Sequence, residues 1–190
     1  EEQQDEYGDA QDHLVADEGG ALDLHAGLID LVLQRHALAA LAFAAVCLVV
    51  GTRWPRSRVV ILHAILSGVF LHGLYLAGVW WAIGEGVPAG LSGIIAGLQP
   101  LLTAAAAPLL IGEKLRLRQK IGVVTGFVGI LIAISPQLFA TFEHGLAGLG
   151  LPILVNLLAM VSVTYGTLYQ KRHLQQGDIL SIAVLQFVGA

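Results

Sequence analysis

Five apolar runs, each about the length of a membrane crossing, dominate this chain. They cover about residues 31–51, 59–83, 87–111, 119–135 and 146–169, and a sixth begins near 179. A bilayer core takes roughly 20 apolar residues in helical form. The runs are continuous rather than alternating and rich in Leu and Ala, which points to helices rather than strands. The chain is 56% hydrophobic and 13% charged, with a mean hydropathy of +0.75. A soluble domain carries about twice that share of charge, and 190 residues enclose too little interior to hide so much apolar surface. The expected fold class is all-α, a polytopic transmembrane helix bundle whose solvent is the lipid bilayer.

Where the charges sit says more than the net charge of −4. Ten of the fourteen acidic residues lie between Glu1 and Asp30, and nine of the ten basic residues lie from Arg53 onward. Arg53, Arg56 and Arg58 follow the first run, Lys114, Arg116, Arg118 and Lys120 the third, and Lys171 and Arg172 the fifth. The intervening loops at 84–86 and 136–145 hold no Lys or Arg. Basic residues at every second loop form the positive-inside pattern, so loops 53–58, 113–120 and 170–178 are expected in the cytoplasm. This distribution suggests no nucleic-acid partner. The acidic stretch 1–30 does not read as a signal peptide, and disorder is expected up to about Gly20. The sequence opens without Met and ends inside an apolar run at Phe187 to Ala190, so a piece of a longer protein is expected.

No pattern of a hydrolase nucleophile, zinc protease, phosphate loop or intramembrane carboxylate pair is present. The single cysteine, Cys47, rules out an intrachain disulfide and a cysteine metal cluster. No cofactor, metal or catalytic residue is therefore expected. Helix-packing and solute-path features stand out instead. Gly93 and Gly97, and Gly122, Gly126 and Gly129, have the spacing that lets membrane helices approach closely. Pro100 falls in the middle of the third run and frees a carbonyl near Ala96, so Gln99 and Pro100 either line a cavity or pack a kink against a neighbour. His72 and Tyr75, three apart, share a helical face in the second run. Trp80 and Trp81 point about 100° apart, so at most one faces a cavity squarely; an outer aromatic belt explains them equally well. Asn156 and Tyr165 are the matching candidates in the fifth run. Each of these polar groups is either a ligand contact or a helix–helix hydrogen bond. Arg35 and His36 open the first run on the outer side, and Glu113 beside Lys114 reads as a loop cap or salt-bridge partner. Val32-Leu33-Gln34 and Val184-Leu185-Gln186 open spans of opposite orientation, a faint hint of an inverted repeat.

Three stretches carry a family resemblance. Gly86-Val87-Pro88-Ala89-Gly90-Leu91-Ser92, Gly97-Leu98-Gln99-Pro100-Leu101-Leu102-Thr103-Ala104 and the boundary Leu110-Ile111-Gly112-Glu113-Lys114-Leu115 resemble the fourth helix of the drug/metabolite transporter superfamily, EamA type. Arg118-Gln119-Lys120-Ile121-Gly122, leading to Gly126-Phe127-Val128-Gly129-Ile130-Leu131, resembles the fifth helix, and Gly166 to Arg172 the end of the sixth. The resemblance implies a ten-helix carrier of two inverted five-helix halves, a small-molecule substrate and no cofactor. Residues 31–136 are then the remainder of the first repeat, with four helices, and 146–190 the start of the second. Residues 1–30 are expected to be a disordered or non-family stretch, and on this template the first and last helices are expected to be missing.

Two other classes stand beside a transporter. An integral-membrane enzyme wants clustered Asp, Glu or His at one membrane face, which the sequence lacks, whereas a non-transporting truncated fragment or membrane assembly partner fits the missing helices. For the transporter, export of amino acids, metabolites or drugs is the expectation, through His72, Tyr75, Trp80, Gln99, Pro100, Asn156 and Tyr165. Protons and a second copy of the chain, as a homodimer, are the further expected partners.

Overall fold

A computed structural model describes residues 27, 30, 33–143, 149–175 and 177–190. Disorder expected up to about Gly20 lies outside these residues. Two compact units divide the chain, Glu1–Arg35 and His36–Ala190. In the first, Gln34 Nε2 donates to Asp30 Oδ2 at 2.8 Å, one helical turn back.

Every regular element among the described residues is a helix. Five are long and apolar enough to cross a membrane: α1 (Leu33–Val50), α2 (Arg58–Gly84), α3 (Ala89–Leu110), α4 (Leu117–Glu143) and α5 (Gly150–His173). A shorter apolar helix, α6 (Ile179–Gly189), follows. These match the expected spans, and α4 runs further than expected, through Pro136.

The short turn between α2 and α3 shows how local chemistry sets the antiparallel path. Gly86 takes φ 96°, a left-handed conformation that side-chain-bearing residues avoid. Its N–H donates to the Ile83 carbonyl and that of Val87 to Ala82, both at 3.0 Å. This is the six-to-one, five-to-two closure that ends helices at glycine. Pro88 then stands at the N-cap of α3, where its missing N–H costs nothing.

Two helices are irregular. α2 loosens into a π-helical stretch over Val69–Leu74, and α3 turns at Gly97 between Ala89–Ala96 and Leu98–Leu110. Gly97 N–H bridges the carbonyls of Gly93 and Ile94 at 3.2 and 3.0 Å. Pro100, which lacks an N–H, follows in the next turn.

α5 is the hub of the His36–Ala190 unit. It lies against both halves of α2 and both segments of α3, while α4 rests on α3 and α6 on the first half of α2. Ala82, Val87, Leu91, Ile95, Ala159 and Met160 close one core where α2, α3 and α5 meet. Ala64, Leu174 and Ile182 close a second near the start of α6. The closest backbone approach joins α2 to α6. A Cβ added at Gly68 would stand 2.1 Å from the Gln186 carbonyl oxygen, and one at Gly189 2.2 Å from that of Ile65.

No residue in the most apolar stretch of α4 is buried, and Val49, Leu109 and Ile179 are more than four-fifths exposed. Soluble monomers do not present apolar surface on this scale. A hydrocarbon solvent removes the cost.

Candidate functional site

The three basic loops meet at one end of the bundle. Glu113, beyond α3, pairs with Lys171 at the end of α5 at 2.5 Å. Arg172 Nη1 donates to the Leu110 carbonyl at 3.0 Å, which satisfies an orphan acceptor at the end of α3. Arg53 and Arg56 line one concavity with Arg172. Of the two readings of Glu113, the salt bridge is the one formed, but to Lys171 rather than to its neighbour Lys114.

A groove of about 700 Å³ starts at the break in α3 and opens toward this end. Gln99, Pro100 and Thr103 from α3, Gln119 from α4 and Thr167 from α5 line it, with Glu113 and Lys171 at its basic end. The break explains the opening: Gly97 turns the chain, and Pro100 leaves the preceding turn without its usual donor. Thr103 Oγ1 donates back to the Gln99 carbonyl at 2.8 Å. The Gln99 side-chain amide makes no hydrogen bond among the described residues, so its two donors and its acceptor are available to a solute.

The other expected positions lie elsewhere. Asn156 is fully buried, and its Nδ2 donates to Ser92 Oγ at 2.8 Å, tying α5 to α3. Its Oδ1 accepts from no described group, and neither does Thr164 Oγ1 have a partner among them. His72 sits in the π stretch, its ring stacked on Phe187 of α6 at 4.9 Å and edge-on to His36 of α1 at 6.1 Å. His36 is therefore buried against His72 and Phe187, deeper than its place at the opening of the first run suggested. Tyr75 packs against the core where α2, α3 and α5 meet. Tyr165 makes an edge contact with Phe70 at 4.9 Å. Trp81 lines a second, largely apolar groove of about 480 Å³ between α2 and α5, and Trp80 is turned about 100° away from it.

The expected glycines also divide. A Cβ at Gly126 would meet Leu101 at 2.6 Å and one at Gly97 would meet Ile130 at 3.6 Å, whereas Gly93, Gly122 and Gly129 have nothing within 4 Å. Sequence reasoning missed Gly68, Gly189 and Gly166 as points of close helix approach. It missed the π stretch as well, whose Phe70 carbonyl accepts from Ser162 Oγ of α5 at 3.0 Å. π turns commonly mark functional positions, but they leave no local signature in a Leu- and Val-rich run. Thr103 and Thr167 lay in plain view; only the three-dimensional groove singles them out.

Apolar helices that expose their sides to hydrocarbon and basic loops gathered at one end define a multi-pass membrane protein. The chain belongs to the EamA-like transporter family, whose model matches residues 22–135, more than half of its length. It is also similar to the uncharacterized transporter YvbV of Bacillus subtilis (strain 168), 28% identical over 133 residues. That alignment covers 70% of this chain and 39% of the Bacillus protein, so the chain spans well under half of that relative's length. No solved structure matches the chain. Both the family and this relative are described as transporters.

Proposed function

We propose that the chain serves in the export of small metabolites, amino acids or drugs across a bacterial cytoplasmic membrane by alternating access. In this reading α1 to α5 are helices two to six of a ten-helix carrier and α6 is the start of helix seven. Residues 31–136 belong to the first repeat and 146–190 to the second, with the basic loops in the cytoplasm. The observation that carries it is the groove at the α3 break, where the Gln99 amide and the accepting hydroxyl oxygens of Thr103 and Thr167 stand among mostly apolar neighbours, with Gln119, Glu113 and Lys171. A midplane site at a broken helix, opening to one side at a time, is the economy of secondary carriers. Proton exchange supplies the coupling through His72, with His36 the titratable neighbour on α1, and a homodimer is the assembly.

The test is an export assay over a panel of radiolabelled amino acids and amphipathic dyes in cells expressing the full chain. Gln99→Ala and Thr167→Val are expected to slow efflux of whichever probe the parent exports. Parent-like efflux in both variants would sink the groove as the solute path.

A further inference from the structure

Arg53 and Arg56, from the loop between α1 and α2, and Arg172 and His173, from the last turn of α5, surround a concavity of about 640 Å³ at the basic end. Trp54 stands on the same wall, 44% exposed. Asp178 is the one carboxylate there, and its Oδ1 already accepts from the Leu180 N–H at 3.0 Å as the N-cap of α6. Three arginines thus line the hollow against one carboxylate. Arg172 is fixed through Leu110, whereas the Arg53 and Arg56 side chains make no ion pair or hydrogen bond among the described residues. Cytoplasmic placement accounts for basic residues at this end, but not for their convergence. Lys114, Arg116, Arg118 and Lys120 belong to another basic loop and stay outside the concavity.

We propose that this concavity binds a phosphate group of net negative charge, free or as the ester of an anionic lipid headgroup, gripped through the paired N–H donors of Arg53 and Arg56. Guanidinium groups match phosphate oxygens bidentately, which a lysine cluster does not. Trp54 is an interfacial residue type, and the last turn of α1 just before it exposes Leu48 and Val49 to the surroundings. A lipid headgroup seated here has room for its acyl chains along α1. A free phosphate offers the same oxygens.

The full chain in dodecyl maltoside, with Trp80→Phe and Trp81→Phe leaving Trp54 as reporter, is titrated with phosphatidylglycerol, phosphatidylcholine and inorganic phosphate. Saturable change in Trp54 emission with phosphatidylglycerol, weakened about tenfold or more in R53Q/R56Q and unchanged in R116Q/R118Q, is expected. Resistance of that signal to inorganic phosphate assigns a lipid headgroup, and displacement by it assigns a free phosphate. Equal saturation by phosphatidylcholine, no saturation by phosphatidylglycerol or phosphate, or undiminished binding in R53Q/R56Q overturns the proposal. Should R53Q/R56Q lose its helical circular dichroism, Arg53→Gln alone is titrated, and an unshifted midpoint overturns it equally.

Discussion

Asn156 and Ser92, 64 residues apart, meet in the buried seam between α5 and α3, where the Asn156 amide donates to the serine hydroxyl at 2.8 Å. In an apolar interior this is a tie between helices, worth about 0.6 kcal/mol on average in membrane proteins and up to about 1.7. Asn156→Ala and Ser92→Ala should therefore each destabilise, and the double variant should lose less than the sum. A double-mutant cycle in sodium dodecyl sulfate unfolding measures the coupling; strict additivity would refute the tie.

Gly68 has no room for a side chain. Its Cβ would overlap the Gln186 backbone, and Ser67 beside it accepts from Gln186 Nε2 at 3.0 Å. Gly68→Val should cost about 1–3 kcal/mol or more by forcing α2 and α6 apart. Gly93→Ala, with open space around it, should leave stability unchanged or raise it. Thermal aggregation of the two purified variants gives the comparison, and equal midpoints would contradict the helix crossing.

The Glu113–Lys171 pair is about half exposed on both sides, so its contribution to stability is small, about 0–1 kcal/mol, and screened by salt. Its position at the end of the groove predicts a larger effect on efflux than on folding. Glu113→Lys and Lys171→Glu should each slow export of a probe that the parent moves, with partial recovery in the charge-swapped double variant. Two slow singles and an equally slow double would place the effect elsewhere.

Proton coupling through His72, as proposed, makes efflux depend on pH through that ring. Its ring packs against His36 and Phe187, so Gln at His72 should flatten the dependence. A His72→Ala variant that keeps the full pH profile rules the histidine out as the carrier.

Much of the architecture was legible because it depends on local chemistry. Without water to satisfy the backbone, each crossing must be a helix of sufficient apolar length, so the runs at 59–83 and 87–111 translate directly into α2 and α3. The break near Pro100 was equally visible, since a missing N–H is a property of the residue itself. The fates of the polar residues were not. Asn156 and Gln99 looked alike as candidates, yet one is spent on Ser92 and the other lines the groove.

The sequence by itself determined that this is a multi-pass helical membrane protein, with its crossings and its basic loops, because burial in hydrocarbon and the distribution of Lys and Arg are read residue by residue. The tertiary structure alone decided which helices touch. It placed Gly68 on Gln186 and Glu113 on Lys171, let Ser162 serve the π stretch of α2, and drew Arg53, Arg56 and Arg172 around one hollow. Those pairings depend on how each helix is rotated and where it crosses its neighbour, and in a bilayer every rotation of an apolar helix satisfies the solvent almost equally well.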